Sequence, residues 1–181
     1  TLMRSSAASD VYKRQDVERL QMIANRFSKI GSIPELEDAD LKALLERVTD
    51  YIAHRTSDKV KISTHVPDSL PPVRLNVALF EWVIENLCKN AVDAMGGVGV
   101  LVISVQETSR YWCIDVADTG KGIDKRYFET VFAPGYTTKK RGWGLGLSLA
   151  RRIVVEYHSG SIFVKQSEIN KGTIFRIELK K

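Results

Sequence analysis

The apolar positions of this chain change period several times, and each change marks a predicted element. From Asp16 onward, Val17, Leu20, Ile23, Ala24, Phe27 and Ile30 recur at steps of three and four, which predicts a helix ended by Gly31 and Pro34. Leu41, Leu44, Leu45, Val48 and Ile52 repeat that pattern behind Asp40, which is placed to cap the helix start. Over residues 59–66 the period falls to two, with Val60, Ile62, Thr64 and Val66 on one face of a half-buried strand. Pro67, Pro71 and Pro72 keep the next connection extended. Residues 76–95 form the most informative helix: Val77, Phe80, Ile84, Leu87, Cys88, Ala91 and Met95 share one stripe. Asn86, Asn90 and Asp93 project from the other side. Two strands follow at 99–107 and 110–117, then a short helix at 124–131, an irregular loop at 131–139 and a helix at 145–157. A hairpin of 161–166 with 173–179, turning at Asn170-Lys171-Gly172, completes the pattern. Short turns between strands require antiparallel pairing. The expected class is α+β, a two-layer sandwich of a mixed, mostly antiparallel sheet with helices packed on one face.

Composition narrows the function more than the fold. With 181 residues, 44% hydrophobic and 27% charged, the chain can bury one core and carry an appendage. No apolar run approaches the ~20 residues of a membrane span, and no signal-peptide pattern opens it, so a cytoplasmic location is expected. Cys88 and Cys113 fall within element patterns and are expected as buried free thiols. The net charge of +5 permits an acidic ligand such as a nucleotide. Apart from Lys139-Lys140-Arg141 the cations are dispersed, so nucleic acid is not the expected partner. Residues 1–15 lack apolar periodicity and are expected to be a non-native or disordered leader.

Two glycine-rich segments carry the candidate chemistry. Asp118-Thr119-Gly120-Lys121-Gly122-Ile123 ends a strand with an acid beside glycines, and Gly142-Trp143-Gly144-Leu145-Gly146-Leu147 runs into a helix. Glycines ahead of a helix N-terminus offer unpaired N–H groups and a positive dipole end to an anion. Neither segment fits the usual phosphate-loop or dinucleotide patterns. Asn86 and Asn90, at i and i+4, stack two amide oxygens that serve either a hard cation or phosphate, or simply a solvated surface.

In order, these features resemble the ATP-binding domain of sensor histidine kinases, in the superfamily shared with DNA gyrase, the Hsp90 chaperones and MutL. The resemblance spans Leu41 to Leu179. Glu85-Asn86-Leu87-Cys88-Lys89-Asn90-Ala91-Val92-Asp93-Ala94 resembles the N box, Phe128 to Phe132 the F box, and the two glycine segments the two glycine boxes. Gly172-Thr173-Ile174-Phe175 is similar to the segment that closes the family's sheet. The resemblance implies a Bergerat-type ATP-binding fold over residues 36–181, preceded at 16–32 by the second helix of a dimerisation hairpin. It implies ATP and Mg²⁺ as ligands, with Asp118 reading the adenine amino group and Gly120 and Gly122 leaving room for the base. Asn90 would hold Mg²⁺ with Asn86 beside it, Gly142, Gly144 and Gly146 would wrap the phosphates, and Lys139 would neutralise their charge. Asp93, Ile123, Phe132, Thr137, Thr138, Leu145, Leu147 and Thr173 would complete the nucleotide site. Thr137 to Arg141 would form a short lid, and Trp143 either packs that lid or is exposed.

One departure bears on mechanism. ATP-hydrolysing relatives place a water-activating Glu four residues before the metal-binding Asn, and here that residue is Asn86, which cannot act as a base. Transfer of phosphate is therefore expected over hydrolysis. The family's phosphoacceptor histidine has no counterpart in His54, His65 or His158, each expected at the surface, so the chain alone is not expected to phosphorylate itself. The implied partners are the parent's own histidine-bearing hairpin and a response regulator. The parent is expected to be a homodimer, often membrane-anchored, with this piece monomeric. A related Ser/Thr kinase of the anti-sigma type, or a nucleotide-binding module without catalysis, are the alternative readings.

Overall fold

The structure, a computed structural model, describes residues 35–139 and 143–181. The predicted leader, the helix begun at Asp16, and Lys140, Arg141 and Gly142 lie outside the described residues. Asp40 caps helix α1 (Leu41–Ala53), its carboxylate accepting from the Ala43 N–H at 3.0 Å. Asn76 caps the longer α2 (Val77–Ala94) in the same way, through Leu79 N–H. Around them run strands β1 (Glu37–Ala39), β2 (Val60–His65), β3 (Val73–Leu75), β4 (Gly99–Glu107) and β5 (Tyr111–Asp118). Helix α3 (Gly146–Arg152) and the strands β6 (Ser161–Glu168) and β7 (Gly172–Lys180) follow.

Five strands form one sheet in the order β2-β4-β5-β7-β6. Only β2 and β4 are parallel, because α2 lies between them and returns the chain to the same end. The other pairs are antiparallel, as the short turns require. Alternation along β4 turns Leu101, Ile103 and Val105 inward, where they meet Ile114 and Val116 of β5 and the helices above. Leu44, Leu45, Phe80 and Ile84 are fully buried in that layer. The sandwich expected from the hydrophobic pattern is the one observed.

The opposite face of β5 holds Asp115, which is buried and lies across from Arg176 on β7. Arg176 donates to both carboxylate oxygens at 2.6 and 2.7 Å, and Lys165 adds a third bond at 2.8 Å. Burial alone would raise the Asp115 pKa, but these cations outweigh it and hold the carboxyl below its ordinary range.

Several elements differ from the pattern-based expectation, each for a tertiary reason. The expected helix at 124–131 is two short 3₁₀ turns, Lys125–Tyr127 and Thr130–Phe132. The helix expected over 145–157 is α only through Arg152, and its last turn, Ile153–Tyr157, is a π-helix. There the His158 ring bonds the Ile153 carbonyl and Gly160 N–H bonds the Val154 carbonyl, which draws the turn wide. A small ribbon, β1 paired antiparallel with β3, was invisible to periodicity because each strand has three residues. The buried stripe of α2 is also wider than expected, taking in Leu79, Val83 and the carboxylate of Glu85, which pairs with Lys89 at 3.0 Å.

His158 corrects the surface expectation: it is 7% exposed. Its Nδ1 lies 2.9 Å from the Ile153 carbonyl, while Nε2 accepts the Asn76 backbone N–H at 3.1 Å, which fixes the neutral Nδ1–H tautomer. Burial holds its pKa below 6.5. A depressed value means that the unfolded chain takes up the proton first. The stability His158 contributes is therefore complete above about pH 6.5 and is lost as pH falls toward its folded value. Thermal melts between pH 7.5 and 5 should show this loss in the wild type and a shallower one in His158→Gln, which keeps an acceptor for Asn76. Identical slopes would remove His158 as the cause.

Candidate nucleotide site

Helix α2 brings the first part of the site together. Asn86, Asn90 and Asp93 lie on the face turned away from the core stripe, as their spacing requires. Lys139, from the loop before α3, spans this face: its ammonium donates to Asn90 Oδ1 at 2.8 Å and to Asp93 Oδ2 at 2.6 Å. The Asn86 amide nitrogen is buried and has no hydrogen-bond partner. Gly146, the first residue of α3, packs so closely on the Asn86 amide that a Cβ there would overlap it. The second glycine segment and the N-box helix are thus in direct contact.

The end of β5 supplies the second part. Asp118 is 8% exposed and takes the Gly120 N–H on Oδ1 at 2.7 Å. Burial pushes its carboxyl above the ordinary range, against the pull of backbone N–H bonds from Gly120 and Thr173. A carboxylate held where its charge is disfavoured is a mark of a functional site. The first glycine segment is tied to the end of α2 by a Lys121 N–H bond to the Ala94 carbonyl at 3.0 Å. The glycines of this segment make room for backbone: a Cβ at Gly120 would lie 2.7 Å from the Ala94 carbonyl carbon, and one at Gly122 would overlap the Glu168 carbonyl.

The remaining predicted residues divide. Thr173 Oγ1 lies 2.9 Å from Ser167 Oγ, which also takes the Ile123 N–H at 2.7 Å, so this edge of the site is one polar network. Thr137 Oγ1 accepts the Lys139 N–H, and Thr138 Oγ1 accepts from Lys121 Nζ, both at 3.1 Å. Phe132 is a core residue, edge-on to Phe175 and beneath the Arg151 guanidinium. Gly144 sits at φ +65° against the Gly135 backbone. Leu145 is exposed, Leu147 half-buried, and Trp143 is 86% exposed. Lys121 and Ser167 were missed. A cation between two glycines reads as a solvated turn, and Ser167 is joined to the site only by cross-strand neighbours.

The donor set fits a hard divalent ion, since an amide and a carboxylate oxygen of α2 already hold a cationic group. Among the described residues no cluster of three or more His, Cys, Asp or Glu competes as a metal site. Cys88 is no nucleophile, because burial pushes its thiol up to about 12. No described helix is long and apolar enough to cross a membrane.

Residues 76–181 match the family described as histidine kinase-, DNA gyrase B-, and HSP90-like ATPase. The sensor histidine kinase ZraS of Escherichia coli K12 is 32% identical over 168 residues, covering 91% of this chain and 36% of ZraS. Sporulation kinase D of Bacillus subtilis is 30% identical, covering 91% and 33%. The chain therefore spans about a third of the length of these relatives. Among solved structures, the nucleotide-free catalytic domain of the histidine kinase ThkA superposes with a TM-score of 0.73 at 27% identity, covering 81% of this chain and 96% of that one. Full-length ShkA in complex with AMPPNP gives 0.72 at 25% identity, covering 80% and 30%. From its N-box helix to its last strand, this chain belongs to the histidine kinase-, DNA gyrase B-, and HSP90-like ATPase family and has the fold of a histidine kinase catalytic domain.

Proposed function

We propose that this chain is the ATP-binding catalytic module of a two-component sensor histidine kinase and presents the γ-phosphate of ATP to a histidine supplied from outside it. The observation that carries this reading is the buried Asp118 carboxylate tied, through Lys121 and Ala94, to a helix face that holds a cation. Asp118 accepts the adenine amino hydrogen, and guanine, with a carbonyl at that position, is refused. Asn90, with Asn86 beside it, would hold Mg²⁺, which when bound would neutralise phosphate charge. Lys139 adds a positive charge on the phosphate side, and Gly144 and Gly146 let the backbone approach it.

The acceptor imidazole nitrogen attacks the γ-phosphorus, the bond to the β–γ bridging oxygen breaks, and ADP leaves. With Asn86 where a Glu base would stand, water is not activated and the phosphoryl group waits for that acceptor. The chain's own histidines do not fit the acceptor role. His158 is buried, His54 bonds the Asp50 carbonyl of its own helix, and His65 ends an outer strand. The acceptor histidine of this reading is in keeping with the name of the sensor histidine kinase ZraS; a histidine-bearing hairpin, a response regulator and a dimeric parent are the partners the same proposal entails.

Calorimetry should show ATP binding that requires Mg²⁺ and weakens by about tenfold or more in Asn90→Ala, since a lost bond to a charged group is worth about 1.5–3 kcal/mol. Labelled ATP and the parent's hairpin should then give acid-labile, alkali-stable label on that hairpin. A folded chain without ATP binding would overturn the proposal, and acid-stable label would point to Ser or Thr as acceptor.

A further inference from the structure

The C-terminal ends of α1 and α2 leave a cavity of about 250 Å³ between them, lined by Ile52, Arg55, Thr56, Lys89, Val92 and Asp93. Ile52 is buried and Val92 half-buried, and together they make an apolar wall. The volume falls just below the about 300–1,000 Å³ of pockets for drug-sized ligands, so an occupant has only a few carbons.

Charge in the cavity is not balanced by its own walls. Lys89 pairs with Glu85 at 3.0 Å, and Asp93 with Lys139 at 2.6 Å. Arg55 has no carboxylate partner among the described residues, and its guanidinium lies over the Tyr51 ring, 3.8 Å from the centroid. A cation just past a helix end ordinarily bonds the last carbonyls. Here the Asp50, Ile52 and Ala53 carbonyls are taken by the backbone N–H groups of His54, Arg55 and Thr56, at 3.1, 3.0 and 3.3 Å. Stacking on Tyr51 fixes the plane of the guanidinium and leaves the N–H donors along its edge unspent.

We infer that this cavity is a second binding site, beside the proposed nucleotide site, and that it takes a small aliphatic carboxylate. The Arg55 fork matches the two carboxylate oxygens, and the Thr56 hydroxyl is a further donor. The hydrocarbon part lies on Ile52 and Val92. A single negative charge suits the one unmatched cation. A phosphate group would bring a second charge toward Asp93 and leave the apolar wall unused. No nucleotide is needed for this binding.

Titration of the full chain with isobutyrate at constant ionic strength, followed by the NMR signals of the Arg55 Nε–H and the Thr56 amide, tests the site. Both signals should shift and saturate together, with a dissociation constant on the order of 1 mM. Arg55→Met, at an exposed position, should weaken binding about tenfold or more, since it removes a charged hydrogen-bonding group. Isobutyramide, the same shape without the charge, should move neither signal, and inorganic phosphate should bind more weakly than isobutyrate. A linear response matching that of the exposed Arg110 would overturn the site. So would unchanged affinity in Arg55→Met, equal shifts with isobutyramide, or phosphate binding as tight as isobutyrate. Loss of ATP binding in calorimetry would instead strike the proposed function and leave this titration intact.

Discussion

Asp118→Asn should weaken ATP binding about 10- to 100-fold while leaving the protein at least as stable at neutral pH. The affinity loss follows from one bond. A hydrogen bond to a charged acceptor is worth about 1.5–3 kcal/mol, or roughly one to two decades in affinity. In the variant the amide oxygen keeps the Gly120 N–H that Oδ1 holds now, so the amide nitrogen is left to meet the adenine amino group, donor against donor. The stability side follows from the raised pKa. Because burial lifts the folded-state value of Asp118, its contribution to stability is complete below the unfolded value and is lost as pH rises through the folded one. At neutral pH the buried charge is a cost that Asn removes. Calorimetry and thermal melts at pH 7.5 on the same preparation separate the two effects. Unchanged affinity would remove Asp118 from the site, and a large fall in melting temperature would make it a structural residue.

Gly172→Ala should have the opposite profile, with the fold failing first. Gly172 sits at φ +109°, and a Cβ there would overlap the Asp118 carbonyl oxygen. The backbone strain costs about 1–2 kcal/mol. Forced repacking adds about 1–3 kcal/mol, because the obstacle is backbone and cannot swing away. For a chain of this size the combined loss should lower the melting temperature by roughly 4–20 °C. ATP affinity should fall with it, since pushing β7 from β5 separates Thr173 from Asp118, its partner across the two strands. Gly96→Asn is the control: Gly96 is also at positive φ, but a Cβ there meets nothing within 4 Å, and Asn tolerates that conformation. Equal melting temperatures for wild type and Gly172→Ala would show that the strand relaxes around the methyl group.

The parts of this protein legible in its sequence are those where one face repeats against a single core. Helices α1 and α2, the β4–β5 pair and the terminal hairpin each bury a face long enough for the period to show. The candidate site was legible as residue types, because Asp before glycine and Asn at i, i+4 are unusual choices for plain turns and helix surfaces. What escaped was set by partners far along the chain. His158 is buried because Asn76, 82 residues away, lends it a backbone N–H. The π turn depends on that same ring, so no local propensity announces it. Lys139 looks like one cation of a solvated run until α2 is placed beneath it. The glycines expected to serve a base or a phosphate also stand, at 120, 122 and 146, where other protein groups leave no room for a Cβ.

Asn76 joins three strings of the molecule at one point. Its side chain caps α2 through Leu79, its amide donates to the Glu35 carbonyl, and its backbone N–H is held by His158. A tug on the chain at Glu35 is therefore borne by the cap of α2 before the sheet feels it. Helix α2 is a stiff rod, and Asn90 lies 14 residues beyond Asn76, about 20 Å at 1.5 Å per residue. Leverage applied at Glu35 thus has a direct mechanical route to the oxygens that hold the Lys139 ammonium.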